Sequence, residues 1–252
     1  MLVSIILATY NRSGTIKKAI DSVLAQTYRD FEFIIIDDGS TDDTLDVLKS
    51  YNDSRIRKIE NKENIGFVKS LNKGINCAKG EYIARIDDDD YWLDKEKLEK
   101  QIKFLENNSE YVLMGTGIIR GDKKILLPET DQEIRKIMLL KSPFAHPSVV
   151  FKKEAWQKVG GYNESLFFSQ DSDLWAKLGK TGKMYNLPEY LTYISVGDSN
   201  RTQKRIRYHL WLKQKIRVRY RKDYPHFWKA YLLGWIAFLY PSLKKLRFLI
   251  KE

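Results

Sequence analysis

Ala84-Arg85-Ile86-Asp87-Asp88-Asp89-Asp90 ends a short apolar run in four consecutive carboxylates. Such a cluster repels itself unless something positive sits in it, and the counter-ion that suits it is a divalent metal carrying phosphate. A second acidic run, Asp37-Asp38-Gly39-Ser40, closes the apolar stretch Phe31–Asp37. Two acidic strand ends in one alternating β/α sequence point to a nucleotide-diphosphate site at the edge of a sheet.

Working outward from that run, residues 1–90 repeat a strand–helix rhythm. Leu2–Ala8, Phe31–Asp37, Arg55–Glu60 and Gly80–Ile86 read as strands, and Phe31–Asp37 is apolar nearly throughout, as a parallel strand buried on both faces should be. Thr15–Thr27 and Asn64–Lys79 read as helices, with Ile16, Ala19, Ile20, Val23 and Leu24 on one face of the first and Phe67, Leu71, Ile75 and Ala78 facing inward from the second. Ser40 or Thr41 is the expected N-cap of a further helix. The alternation predicts an α/β fold with a mostly parallel central sheet flanked by helices. Ligands of such sheets bind beyond the carboxyl ends of the strands. Thr9–Arg12, Asp37–Ser40 and Asp87–Asp90 should therefore converge on one edge.

Beyond residue 94 the rhythm changes. Lys95–Asn107 reads as a helix, Tyr111–Ile119 and Lys123–Leu127 as a hairpin about Gly121-Asp122, and Gln132–Leu140 as a short helix. The loop Ser142–Pro147 enters strand Ser148–Phe151. Gly160-Gly161-Tyr162 is a turn, and Asp171–Lys180 a helix. In residues 201–222 basic side chains fall mainly at odd positions and apolar ones at even positions, an alternation that argues for a strand. The run is about three times a usual strand length and lacks Gly and Pro, so a helix is the expectation.

The chain of 252 residues, 43% hydrophobic, can bury a large core. A single cysteine, Cys77, excludes an intramolecular disulfide framework and a cysteine-rich zinc site, and it reads as a buried filler. The opening segment lacks a basic n-region and a cleavage site, and no window of about 18 uncharged apolar residues occurs. The expected location is cytoplasmic. The net charge of +11 is uneven, since residues 201–252 hold 15 Lys/Arg against Asp223 and Glu252, leaving residues 1–200 slightly acidic. This asymmetry divides the chain into a domain of residues 1–200 and a basic, aromatic-rich C-terminal extension of residues 201–252.

The segments Val3–Arg12, Ser22–Tyr28, Ile36–Asp42, Asn64-Ile65-Gly66, Lys79–Asp90, His146-Pro147-Ser148, Gly160-Gly161-Tyr162 and Gln170–Trp175 together resemble the family 2 inverting glycosyltransferases of GT-A fold. Each motif is weak alone, and their order over residues 3 to 175 carries the resemblance. It implies a GT-A nucleotide-binding domain and transfer of a sugar from a nucleotide diphosphate sugar to a hydroxyl. By the match, Thr9 and Tyr10 line the base pocket, Asp38 accepts from the base, and Arg12 approaches base or phosphate. An aromatic face with a carboxylate acceptor suits uracil, whose N3–H donates, and suits thymine equally. Asp87-Asp88-Asp89 corresponds to the family's Asp-x-Asp motif. Asp87 then holds the ribose or assists the metal, and Asp89 ligates Mn²⁺ or Mg²⁺ bridging the diphosphate, with Asp88 or Asp90 as a further ligand or sugar contact. Arg85 anchors this nucleotide-binding loop, and His146 is the second metal-side residue. Asp171 matches the catalytic base, which takes the acceptor proton in a single displacement. Gln170 stands where the family usually carries Glu, which leaves Asp171 and Asp173 both open as the poised carboxylate.

Three partners suit the extension. An anionic membrane surface fits its cations and its Trp and Tyr residues, and would make the protein peripheral on the inner face of the cell membrane. Packing on the catalytic domain, or a homodimer interface, is the second. Nucleic acid is not expected, because no recognition motif accompanies the charge. The expected partners are a nucleotide-sugar donor, most simply UDP-linked, and a glycan or lipid-linked acceptor. The alternative is a non-catalytic membrane- or nucleic-acid-binding adaptor with a degenerate nucleotide site.

Overall fold

The computed structural model describes residues 2–196 and 206–240. Expectations for residues 201–205 and 241–252, including Lys244 and Lys245, lie outside them.

Strands β1 (Val3–Thr9), β2 (Phe31–Asp37), β3 (Ile56–Glu60) and β4 (Tyr82–Arg85) alternate with helices α1 (Ile16–Leu24), α2 (Thr44–Lys49) and α3 (Phe67–Cys77). They pair in parallel in the order β3-β2-β1-β4. The register sets Thr9 beside Asp37 and Asp37 beside Glu60, so the acidic strand ends share one edge. Both faces of β1, β2 and β4 are buried, while the edge strand β3 is only partly covered. Val3, Ile5 and Leu7 of β1 join the core under α1, while Ile6 and Ala8 join the one under α3, which is the period-two split of a two-sided strand. Gly74 lets α3 lie close, since a Cβ there would sit 2.5 Å from Ile36 Cδ1.

The second half adds β5 (Tyr91–Trp92), α4 (Lys97–Asn107), β6 (Tyr111–Arg120), β7 (Lys123–Ile125), α5 (Asp131–Ile137), β8 (Val150–Lys152), α6 (Lys153–Lys158), α7 (Gln170–Leu178) and β9 (Lys183–Ile194). The sheet continues β4-β8-β6-β9-β5, with β7 on β6. Antiparallel pairs enter here (β4·β8, β6·β8, β5·β9 and β6·β7), so the α/β sheet is parallel in its first half and mixed in its second. The short β5 and the 12-residue β9 had no clear signal in the sequence, because β9 is interrupted by register shifts and mixes exposed with buried positions. Since β8 runs antiparallel to β4, the loop before it arrives beside the carboxyl end of β4, and Arg85 N donates to Val149 O at 3.0 Å. His146 is carried in by that loop.

Helices α8 (Ile206–Arg219) and α9 (Phe227–Leu239) follow. The helical expectation for residues 201–222 holds over α8, because long-range packing replaces the alternation. Leu212, Ile216, Tyr220, Tyr224 and Ala230 belong to the same buried cluster as Leu174 and Trp175 of α7.

Three local expectations change. Phe67 does not face inward but is 39% exposed at the first turn of α3. Cys77 is half-buried at the helix end rather than core filler. Helix α2 starts at Asp43 with no side-chain cap. Ser40 and Thr41 instead bind the loop after β1. Ser40 Oγ accepts from Asn11 N at 2.9 Å, and Thr41 N donates to Asn11 Oδ1 at 2.8 Å. That contact holds Asn11 at φ 54, a left-handed conformation that Asn tolerates.

Candidate active site

Asp87, Asp88, Asp89 and Asp90 leave the end of β4 and turn back into β5. Their environments differ sharply. Arg85 is wholly buried and its Nη2 pairs with Asp87 Oδ1 at 2.6 Å, while another of its nitrogens reaches the carbonyl of Ile6. Burial pushes the Asp87 carboxyl up, but His146 and Arg85 outweigh it and hold it at about 2. Asp88 lies 3.4 Å from Arg12 Nε. Its carboxyl is pushed up to about 6 by burial and by Asp89, with Arg12 and Thr9 pulling the other way. Asp90 is pushed up to about 8 by burial and by Asp87 and Asp89, although Ser195 N donates to it at 2.8 Å.

His146 is engaged by protein groups on both ring nitrogens. Its Nε2 lies 2.8 Å from Tyr162 Oη and 3.4 Å from Arg85 Nε, and its Nδ1 lies 3.3 Å from Asp87 Oδ1. Arg85 can only donate, so in the neutral ring Nε2 accepts and the proton sits on Nδ1 facing Asp87. Both ring nitrogens therefore serve the protein, and the histidine braces Asp87. Tyr162 is placed by the turn Gly160-Gly161, both at positive φ, and by Asn72, which exchanges two hydrogen bonds with its backbone. Burial raises the Tyr162 phenol, and so do Asp87 and Asp171, both within its electrostatic reach. The row Arg85–Asp87–His146–Tyr162 thus ties the acidic loop to the turn at Gly160-Gly161.

Asp38 is likewise engaged within the protein. Its Oδ1 accepts from Asn61 Nδ2, Ser70 Oγ and Ile65 N, and its Oδ2 from Gly66 N, at 2.9–3.0 Å. The carboxylate is buried and committed to seating the first turn of α3. Gly39 at φ +76 permits this, since a Cβ there would lie 2.7 Å from the carbonyl carbon of Glu63. The neighbouring Asp37 offers what Asp38 does not. Its Oδ2 accepts from Ser40 N at 2.9 Å, while its buried Oδ1 has no hydrogen-bond partner. Thr9 lies beside it in register, and Tyr10 is half-buried just beyond the strand.

The base assignment divides cleanly. Asp173 is wholly buried. Its Oδ1 accepts from Tyr220 Oη and Arg219 Nη1, both at 2.9 Å, and its Oδ2 lies 3.3 Å from Lys177 Nζ. Asp173 is a structural tie. Asp171, on the first turn of α7, has Oδ1 2.7 Å from Ser172 N, and Ser169 before it holds φ 57. Ser169 Oγ lies 3.0 Å from His209 Nε2 of α8. Helix α8 and the turn after it therefore grip α7 at its start and its middle, and Tyr224 Oη donates to Ala176 O at 2.7 Å further along.

Several contributors escaped the sequence reading. Asp37 was hidden by its identical neighbour. Phe67 matched a helix face, yet its ring meets His146 edge-on at 6.1 Å and lies 5.9 Å from the Arg85 guanidinium. The partners of Asp173 are separated from it by 46 and 47 residues. Trp175 is wholly buried in the core, 6.0 Å from the His146 ring.

Among the described residues no group of three or more His, Cys, Asp or Glu side chains is preassembled for a metal. The donor set nevertheless fits a hard cation shared with a diphosphate. Such an ion needs only one or two protein carboxylates, and Asp88 and Asp89 bring oxygen donors in mutual repulsion.

The family model of glycosyl transferase family 2 matches residues 4–156. EpsE of Bacillus subtilis, named as a glycosyltransferase, is 36% identical over 202 residues, which cover 75% of this chain and 71% of that one. An Escherichia coli protein, the UDP-Glc:alpha-D-GlcNAc-diphosphoundecaprenol beta-1,3-glucosyltransferase WfaP, is 46% identical over 121 residues, covering 48% of each chain. Among solved structures, S. aureus TarS 1-349 in complex with UDP-GlcNAc superposes with a TM-score of 0.72 at 19% identity, over 97% of this chain and 74% of that one. The mannosyltransferase PcManGT of Pyrobaculum calidifontis, in complex with GDP-Man and Mn²⁺, gives 0.70 at 20% identity, over 94% and 69%. At such identities these two speak to the fold alone.

Proposed function

The chain belongs to glycosyl transferase family 2 and is a glycosyltransferase; from that premise we propose that it is a metal-dependent inverting enzyme moving a sugar from a UDP-sugar to a hydroxyl of a lipid-linked glycan. The observation that carries this reading is the convergence of Thr9, Asp37 and the acidic loop at one sheet edge, with the acidic loop tied through His146 to Tyr162. Residues 1–200 supply this chemistry, and α8 with the turn after it braces α7.

Asp37 Oδ1 is the acceptor for the base N3–H, with Tyr10 against the ring. Arg12 meets the phosphates and keeps Asp88 oriented. Asp89, with Asp88, would hold Mn²⁺ or Mg²⁺, which supplies Lewis-acid stabilisation of the leaving diphosphate. Asp87 is fixed by Arg85 and His146 and presents its remaining edge to the ribose. Asp171 takes the proton from the acceptor hydroxyl as that oxygen attacks the anomeric carbon from the face opposite the diphosphate. One displacement inverts the centre, and no covalent enzyme intermediate is needed. The UDP donor and the lipid-linked acceptor follow the naming of the Escherichia coli relative, and the mutually repelling carboxylates of Asp88 and Asp89 support the metal.

The test is thermal stability with UDP, dTDP, GDP, CDP and ADP, each with and without Mn²⁺. A ligand at about 100 times its Kd adds roughly 2.7 kcal/mol. The expected result is a Mn²⁺-dependent shift for UDP that Asp89→Ala removes. Asp171→Asn should keep that shift and lose transfer. Transfer at the wild-type rate by Asp171→Asn would overturn the base.

A further inference from the structure

Helix α9 presents its apolar side chains the wrong way round for a helix in water. Its inner face is made of small residues, with Ala230, Gly234 and Ala237 buried. Gly234 is packed so closely on Arg217 and Gln214 of α8 that a Cβ would collide with both. The bulky residues point out. Trp228 is 72% exposed, Leu232 60%, Ile236 42% and Leu239 61%. Spaced at three and four residues, they form one stripe along the helix, with Trp235 half-buried at its margin. An exposed stripe of this kind marks an interaction surface.

The helix is too short to cross a bilayer. Thirteen residues rise about 20 Å against a hydrocarbon core of about 30 Å. No helix among the described residues is long and apolar enough to span. Charge decides what covers the stripe. Residues 206–240 carry eight Lys/Arg and one acid, Asp223. Lys229, Arg221 and Lys222 are exposed beside or just before α9. A second copy docked stripe to stripe would set these cations against their own kind. An anionic bilayer takes the apolar stripe below its headgroups and the cations at them.

We propose that α9 lies flat on an anionic lipid bilayer, with Trp228, Leu232, Ile236 and Leu239 sunk below the headgroups and the neighbouring Lys and Arg on the lipid phosphates. This surface stands on exposure and charge alone and does not depend on the donor or acceptor assigned above. Its consequence for catalysis is positional. Helix α9 packs on α8, and α8 holds the helix that bears Asp171, so a bilayer under α9 lies against the same unit that carries the base.

The full chain would be sedimented with phosphatidylcholine vesicles and with vesicles containing roughly 30% phosphatidylglycerol, at low and high salt. Binding to the anionic vesicles only, weakened by salt, is expected. Leu232→Ser/Leu239→Ser should weaken it about tenfold or more, the scale of losing two buried aliphatic side chains. Lys222→Gln/Lys229→Gln should weaken it while lowering its salt dependence. Both variants should keep the wild-type melting temperature and donor binding, because all four side chains are exposed. Unchanged vesicle binding by Leu232→Ser/Leu239→Ser would overturn the proposal. So would a wild-type chain that ignores both vesicles and forms a dimer that this variant disperses. Vesicle binding without sugar transfer would leave this surface standing and count against the transferase assignment alone.

Discussion

Adjacent identical carboxylates do different work in this chain. Asp38 satisfies four donors and Asp37 leaves one buried oxygen open. Asp38→Ala would strand the donors of Asn61, Ser70, Ile65 and Gly66, at a cost of about 3 kcal/mol or more, read as a fall in the denaturation midpoint. Asp37→Asn should melt near the wild type and lose the nucleotide-dependent shift, because an amide at Oδ1 can present a donor to the base N3–H. A similar division holds between His146 and Asp89. With both ring nitrogens of His146 taken by the protein, His146→Ala should slow transfer by loosening Asp87 while leaving the Mn²⁺ half-saturation within about threefold. Asp89→Ala should abolish the metal dependence. A Mn²⁺ titration of UDP binding separates the two.

At the scale of elements, α4 carries an unusual burden. Lys97 at its first turn is fully buried, with Gln101 Oε1 at 2.7 Å and the Trp92 ring at 4.1 Å from its ammonium. Burial pushes its pKa well below the usual lysine range. A depressed folded pKa gives stability that is full above the unfolded value of about 10.4 and is lost as pH falls toward the folded value. Below the unfolded value the buried charge is disfavoured in the folded chain, so at neutral pH the lysine is a net cost. Lys97→Met keeps the length and removes that cost. Its melting temperature should exceed that of the wild type at pH 7, with the difference shrinking as pH rises. Helix α3 shows the opposite economy. Its N-terminus is seated by the Asp38 carboxylate, a favourable place for a negative charge, and that seat brings Phe67 to the site.

Across the whole molecule, the extension and the catalytic half share one core. Tyr220 and Arg219 reach back to Asp173, two residues from Asp171 on the same helix. Tyr220→Phe removes one of these bonds. It should lower stability by about 1 kcal/mol and lower kcat for transfer, with the UDP-induced shift unchanged. An equal fall in donor binding would deny a selective hold on the base helix.

The sequence by itself determined the strand-end chemistry. Alternating apolar runs bury β1, β2 and β4 on both faces, and parallel register then forces Thr9, Asp37 and the acidic loop to one edge. Those signals are local and periodic, so they survive being read one segment at a time. The helix of residues 206–219 was legible only as an expectation against its own alternation. Tertiary structure alone decided which oxygen of which aspartate stays open, that His146 braces Asp87, and that Asp173 belongs to the tail. The physical reason is common to all three. A buried polar atom must find a partner, and the partner is whatever residue the packed chain delivers within 3 Å. For Asp38 that residue lies 23 to 32 positions away, and for Asp173 it lies 46 and 47 away.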